Sequence, residues 1–180
     1  SLAESAEPNE TGDQWTVTLR EGVRFHDGRP LTSADVRFTF ERIMNPEDPK
    51  SGSSKLATLE SVEEVDERTV RFVLGSPDAV LTDALAQYVM GIVPQDYDPA
   101  DPIGTGPFRL THFEPGGTTQ LTAFDDYWQG RPHLDEVLLM NFDDEDALMN
   151  SLLSSQVDVI AQVPLPLVHV ISEDPRIQVI

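Results

Sequence analysis

The sequence predicts an α/β protein, with a small α+β subdomain over residues 14–101 followed by an incomplete α/β segment over 102–180. Three observations carry that prediction. At 15–20 the residues alternate, with Trp15, Val17 and Leu19 on one face and Thr16, Thr18 and Arg20 on the other, and a capped amphipathic helix follows. Between 94 and 102, prolines 94, 99 and 102 and aspartates 96, 98 and 101 mark an internal boundary. Beyond 136, strand and helix patterns alternate, the arrangement of parallel strands joined by right-handed crossovers.

Residues 1–13 are polar, acidic and rich in turn formers, and read as a disordered arm. Ser1-Leu2-Ala3-Glu4-Ser5 lacks the basic and then apolar stretches of a signal peptide and reads as a cut point. After the 15–20 strand, Glu21-Gly22 and His26-Asp27-Gly28 are turns on either side of a short strand at 23–25. At Leu31 the period changes. Thr32 is a good N-cap, and Asp35 stands at the third helical position, where its carboxylate can reach back to free backbone N–H groups. Val36, Phe40 and Ile43 then recur as one core-facing stripe, and Pro46 stops the helix.

Residues 47–54 read as a surface loop, 62–65 and 70–74 as antiparallel strands, 79–88 as a helix and 91–93 as a short strand ended by Pro94. In the second half, 108–113 and 120–124 flank Pro115-Gly116-Gly117, a hairpin signal. Strand 136–142, helix 144–154, strand 157–161, helix 166–172 and strand 178–180 follow. The last strand meets no closing element, so the chain is expected to continue.

With 180 residues, 39% of them hydrophobic, the chain can bury one sizeable core or two small ones. Its longest apolar runs, 89–93 and 168–171, fall far short of the roughly 20 residues needed to span a bilayer. Twelve basic against 32 acidic residues give a formal net charge of −20, a surface that repels nucleic-acid phosphates and anionic headgroups and disfavours both as partners. Lys50 and Lys55 are the only lysines. An acidic, lysine-poor surface suits high salt, where screening removes self-repulsion; an acidic protein from an ordinary habitat is the alternative. Without cysteine there is no disulfide framework and no thiolate chemistry.

The residues assemble no catalytic machinery. Asp143-Asp144-Glu145-Asp146 invites a metal, yet lacks the alternating ligands, glycine and distal glutamate of a calcium loop, and helix capping explains acids at that position. His26 beside Asp27 reads as a turn rather than a base and its orienting acid, because adjacent side chains diverge. His112, His133 and His169 lack zinc spacing. Gly104-Thr105-Gly106-Pro107 has no lysine and precedes a strand, so tight strand entry explains it better than a phosphate loop. Tyr127 and Trp128 could stack on a ligand, but anchoring of their loop to the core is preferred. The reading is a protein without enzymatic activity, metal or cofactor.

Several segments resemble a known family. Trp15, Thr18-Leu19-Arg20, Gly22-Val23, Phe25-His26-Asp27-Gly28, Pro30-Leu31-Thr32, Ala34-Asp35-Val36 and Phe38 are similar to the signature segment of the bacterial family 5 solute-binding proteins, the peptide- and nickel-binding subunits of ABC importers. Ile103-Gly104-Thr105-Gly106-Pro107-Phe108 and Tyr127-Trp128-x-Gly130-x-Pro132-x-Leu134-Asp135-Glu136-Val137 resemble later segments in the same order. Residues 147–158 fit as well, with Ser155 where the pattern usually has glycine.

The resemblance implies a periplasmic binding protein-like fold of the class II, dipeptide-binding type, here the small subdomain with part of the lobe-one mixed sheet and no lobe two. It implies an extracytoplasmic monomer, periplasmic or lipid-anchored, that closes over a solute and hands it to ABC permease membrane subunits. An oligopeptide or dipeptide is the first expectation for the ligand. A nickel chelate, an oligosaccharide or an opine is the alternative, and a non-transport interaction domain is the rival from another class. Peptide selectivity in such proteins comes largely from lobe two. The ligand-facing candidates within this chain are therefore chosen by loop location: Asn45, Ser53, Ser54 and Lys55 in the 45–55 loop, and Gly104, Thr105 and Gly106 in the crossover.

Overall fold

Residues 1–163, 168 and 176–178 are described by the computed structural model. They fall into two compact units, Ser1–Phe113 with Gln120–Leu138, and Glu114–Thr119 with Leu139–Ile180. The division therefore does not lie at the Pro/Asp-rich segment 94–102. That segment is tied into the first unit, where Pro94 is buried, the Gln95 N–H donates to Asp35 Oδ1 at 3.3 Å and Arg42 lies over the Tyr97 ring.

The first unit is built on a four-stranded antiparallel sheet. Strand β1 (Ala3–Pro8), β2 (Gln14–Leu19), β3 (Leu59–Asp66) and β4 (Thr69–Leu74) lie in the order β1-β2-β4-β3. The alternation seen in the sequence sets the faces: Trp15, Val17 and Leu19 of β2 and Val70, Phe72 and Leu74 of β4 are buried on one side. Their register pairs Trp15 with Phe72 and Val17 with Val70, so the two apolar rows coincide.

The expected disordered arm is instead the edge strand β1. Ala6 pairs with Val17 and Pro8 with Trp15, and the β1–β2 connection is held by the Asn9 amide, which donates to Thr11 at 2.9 Å and Asp13 at 2.7 Å. The physical reason is that the outer edge of β2 presents a row of backbone groups, and a polar segment can pair with them without contributing large side chains. Thr11 and Asn9 hold the Asp13 carboxyl below the usual carboxylate range.

Helix α1 (Ser33–Ile43) packs across β3 and β4. Val36, Phe40 and Ile43 are buried, and Phe40 meets Phe72 edge-on with centroids 5.1 Å apart. Asp35 anchors the first turn: its Oδ2 accepts from the Thr32 N–H at 2.9 Å and from the Thr32 hydroxyl at 2.7 Å. The Ser33 hydroxyl donates to the Asp66 carbonyl at 2.5 Å, fastening the helix start to the end of β3.

Three expected elements of this unit take other forms. Residues 23–25 make only an isolated Arg24–Pro30 bridge, because a tight loop brings the Phe25 N–H onto Arg29 O, although Val23 and Phe25 are buried as a strand would bury them. The helix foreseen over 79–88 is the short α2 (Leu81–Leu85) followed by a 3-10 turn, Tyr88–Met90, because Gln87 between them is extended. Residues 91–93 form no strand. The Thr39 hydroxyl of α1 accepts from the Val93 N–H at 3.0 Å, and its one hydrogen lies between the Asp35 carbonyl at 2.8 Å and the Val93 carbonyl at 3.2 Å.

Strands β5 (Phe108–Phe113), β6 (Thr118–Ala123) and β7 (Glu136–Met140) make a second sheet in that order, with the foreseen hairpin between β5 and β6. In the second unit α3 (Glu145–Leu153) begins where the acidic cluster lies. Its N-cap is Asp144, whose Oδ1 accepts from the Ala147 N–H at 2.6 Å. The strand foreseen at 157–161 is absent. The N–H groups of Gln156 and Val157 turn back onto the Ser151 carbonyl and close the end of α3. The helix expected at 166–172 and the strand at 178–180 lie largely outside the described residues.

Candidate functional site

Two segments were singled out by the sequence as ligand-facing, and both belong to the first unit. In the 45–55 loop, Asn45 is exposed and its side-chain oxygen accepts from the Glu47 N–H at 3.0 Å, a local turn that Asp-rich and Pro-rich sequence favours. Lys50 pairs with Asp48. Ser53, Ser54 and Lys55 lie in the 3-10 turn Ser53–Leu56, with Ser54 and Lys55 exposed and Leu56 fully buried beneath them as the turn's anchor. The turn is reached through Gly52 at φ 99°, where a Cβ would stand 2.7 Å from Val89 Cγ2, so only glycine fits both the backbone and the space.

The second segment, the crossover 104–106, is held by one residue, through both its backbone and its side chain. The His26 N–H donates to the Gly104 carbonyl at 2.9 Å, and the Gly104 N–H donates to His26 Nδ1 at 3.2 Å. His26 Nε2 lies 3.1 Å from the Gly106 carbonyl. The ring packs edge-on against Phe124, centroids 5.2 Å apart, and Phe124 is itself tied by its N–H to the Pro107 carbonyl at 2.8 Å. Gly104, Thr105 and Gly106 are all half-buried.

Among the described residues no hydrogen bond joins the 45–55 loop to the crossover, so Asn45, Ser53, Ser54 and Lys55 are not brought onto Gly104, Thr105 and Gly106 through direct bonds. What sequence reading missed is the partnership of His26 with Gly104 and Gly106. Separated by about eighty positions, they carry no spacing signal; only the fold brings the two segments together.

Asp27 does not orient His26. It pairs with Arg29, whose Nε lies 2.6 Å from Asp27 Oδ2 and whose Nη2 lies 2.9 Å from Asp96 Oδ1. The two carboxylates raise the Arg29 pKa, and Arg29 in turn lowers that of Asp96. The cluster staples segment 94–98 to the turn and leaves no free base. Trp128 packs against the core of the first unit with the Arg20 guanidinium 5.3 Å from its ring centroid, which is the anchoring role preferred from sequence. His112 and His133 are exposed, and His169 lies outside the described residues. Among the described residues no group of three or more His, Cys, Asp or Glu could hold a metal ion, and no helix is long and apolar enough to cross a membrane.

The fold superposes on that of solved binding proteins, among them an oligopeptide-binding protein of Bacillus subtilis at a TM-score of 0.78. All of residues 1–180 match the family described as bacterial extracellular solute-binding proteins, family 5 Middle, and the chain belongs to that family. It is 32% identical to the oligopeptide-binding protein AppA of Bacillus subtilis over 88% of this chain and 32% of that protein. It is 30% identical to the di/tripeptide-binding protein 2 of Pseudomonas aeruginosa over 100% of this chain and 39% of that protein. Among solved structures, the binding protein AgaA of A. tumefaciens R10 in complex with agropinic acid superposes with a TM-score of 0.91 at 36% identity, covering 97% of this chain and 37% of that one. The chain thus spans about a third of the length of the curated relatives it matches.

Proposed function

We infer that this chain is part of the substrate-binding component of an ABC importer, which captures an oligopeptide or dipeptide outside the membrane and delivers it to permease subunits. The observation that carries the reading is the family match along the whole chain together with curated relatives that bind peptides. An opine is the second reading, favoured by the 36% identity to the agropinic acid-binding protein. Both place the protein outside the cytoplasm, in the periplasm or lipid-anchored at the outer face of the membrane, as a monomer without enzymatic activity.

Asn45, Ser53, Ser54 and Lys55, with Gly104, Thr105 and Gly106, are the proposed ligand-facing positions. The exposed Lys55 ammonium suits a carboxylate, and the glycines allow close backbone approach. A two-lobed cleft encloses its ligand only when both lobes are present. Residues 1–180 alone are therefore expected to give no heat on titration with di-, tri- and oligopeptides, whereas a chain extended to the length of its relatives binds them with a Kd of about 1 μM or tighter. Tight peptide binding by residues 1–180 alone would overturn the two-lobe reading, and binding of agropinic acid but no peptide by the extended chain would favour the opine.

The acidic surface is proposed to be a salt adaptation. Asp and Glu outnumber Lys and Arg by 20, and the ion pairs of Arg29, Arg37, Arg68 and Arg131 are all solvent-exposed, so each contributes little on its own. Screening of the net repulsion dominates. The melting temperature is expected to rise by about 5 °C or more between 0.1 M and 2 M KCl, and salt-indifferent melting would sink the idea.

A further inference from the structure

We propose that His26 is a pH-responsive clasp, which in its neutral form ties the Phe25–Gly28 turn to the Gly104–Gly106 crossover and on protonation releases one of those ties. The geometry fixes the form of the ring. A backbone N–H can only donate, so Nδ1, 3.2 Å from the Gly104 N–H, must be the unprotonated nitrogen. A carbonyl can only accept, so Nε2, 3.1 Å from Gly106 O, must carry the hydrogen. Both nitrogens are used, and neither can change its role without losing its partner.

Protonation adds a hydrogen at Nδ1, where it faces the Gly104 N–H. Two donors then oppose each other in a half-buried position, and the bond from the Gly104 N–H to Nδ1 breaks, while the Nε2–H bond to Gly106 and the backbone bond from the His26 N–H to the Gly104 carbonyl survive. The surroundings do not favour the charged ring. The Phe124 edge packs against it, and burial lowers its pKa below the ordinary 6.5. The Gly106 carbonyl opposes that shift, Arg109 of β5 reinforces it, and Asp27, itself paired with Arg29, opposes it. Because the folded pKa is depressed, the unfolded chain binds the extra proton first. The clasp's contribution is complete above pH 6.5 and is lost as the pH falls through the folded pKa. The result is a mildly acid-sensitive joint between two segments that are remote in sequence.

The test is hydrogen exchange at Gly104 on the whole chain, expressed as protection relative to the intrinsic rate, from pH 8 to pH 5. Protection is expected to fall about five- to tenfold across the His26 titration, the scale of one lost hydrogen bond. In His26→Gln, which offers one donor and one acceptor and does not titrate, protection should be independent of pH. Nitrogen-15 spectra of selectively labelled histidine give a readout that needs no variant: at pH 8 the His26 ring should be the Nε2–H tautomer with its midpoint below 6.5. An Nδ1–H tautomer, a midpoint at or above 6.5, or the same pH dependence in the glutamine variant would each overturn the clasp.

Discussion

Phe72→Ala is expected to destabilise the first unit by about 3–5 kcal/mol. Phe72 is 1% exposed, sits midway along β4, pairs in register with Trp15 on one side and Val62 on the other, and receives the edge of Phe40 from α1. Its removal would open a cavity bounded by two strands and a helix that are all hydrogen-bonded in place, so the surroundings cannot collapse to fill it. A domain is stable by only about 5–15 kcal/mol, so much of that margin would go. In urea denaturation followed by tryptophan fluorescence, the midpoint should fall sharply while Val65→Ala, at an exposed position of β3, stays within about 0.5 kcal/mol of the parent. A loss below about 1.5 kcal/mol for Phe72→Ala would mean that the sheet and α1 are not packed as described.

The second large effect is expected at a polar residue. Asp35→Ala should cost about 2–3 kcal/mol, because one carboxylate serves the Thr32 N–H, the Thr32 hydroxyl and the Gln95 N–H. Deleting it leaves backbone donors unpaired at a site that is 6% exposed, where water cannot easily replace the lost acceptor. Thr32→Ala removes only the hydroxyl and should cost about 1 kcal/mol. The difference between the two variants reports the Thr32 N–H and Gln95 N–H bonds to the carboxylate together, since Thr32→Ala keeps both. Equal losses in the two variants would show that neither backbone bond to Asp35 contributes.

These two residues also show how differently parts of the fold were legible. Phe40 and Val36 announce their burial by helical period, Phe72 by strand alternation, and Asp35 by its place three residues after Thr32. Each is a local rule, and each held. Residues 3–8 and 91–93 failed in opposite directions for one reason. Whether an extended segment becomes a strand depends on whether a free strand edge lies beside it. β2 offers such an edge to β1, whereas Val93 meets the Thr39 hydroxyl. The segment at 157–161 had strand composition, but its first amide, that of Val157, is taken by the Ser151 carbonyl at the end of α3.

The candidate site divides along the same line. Gly104 and Gly106 were legible as a tight entry into β5, and Ser53 to Lys55 as a surface turn, because glycine, serine and proline mark turns locally. His26 looked like an unremarkable turn residue beside a carboxylate. Its role depends on Gly104, Gly106 and Phe124, which no spacing rule connects to it.

By itself the sequence determined the periodic elements, the cap of α1, the acidic surface and, through its ordered motifs, the family. Those properties reside in side-chain pattern and composition, which act over a few residues or over the surface as a whole. The tertiary structure alone decided that the acidic first residues form an edge strand, that Asp27 belongs to Arg29, and that His26 closes on the 104–106 crossover. Each of those choices is a competition among hydrogen-bonding partners, and folding settles it by which donor and acceptor come within about 3 Å of each other.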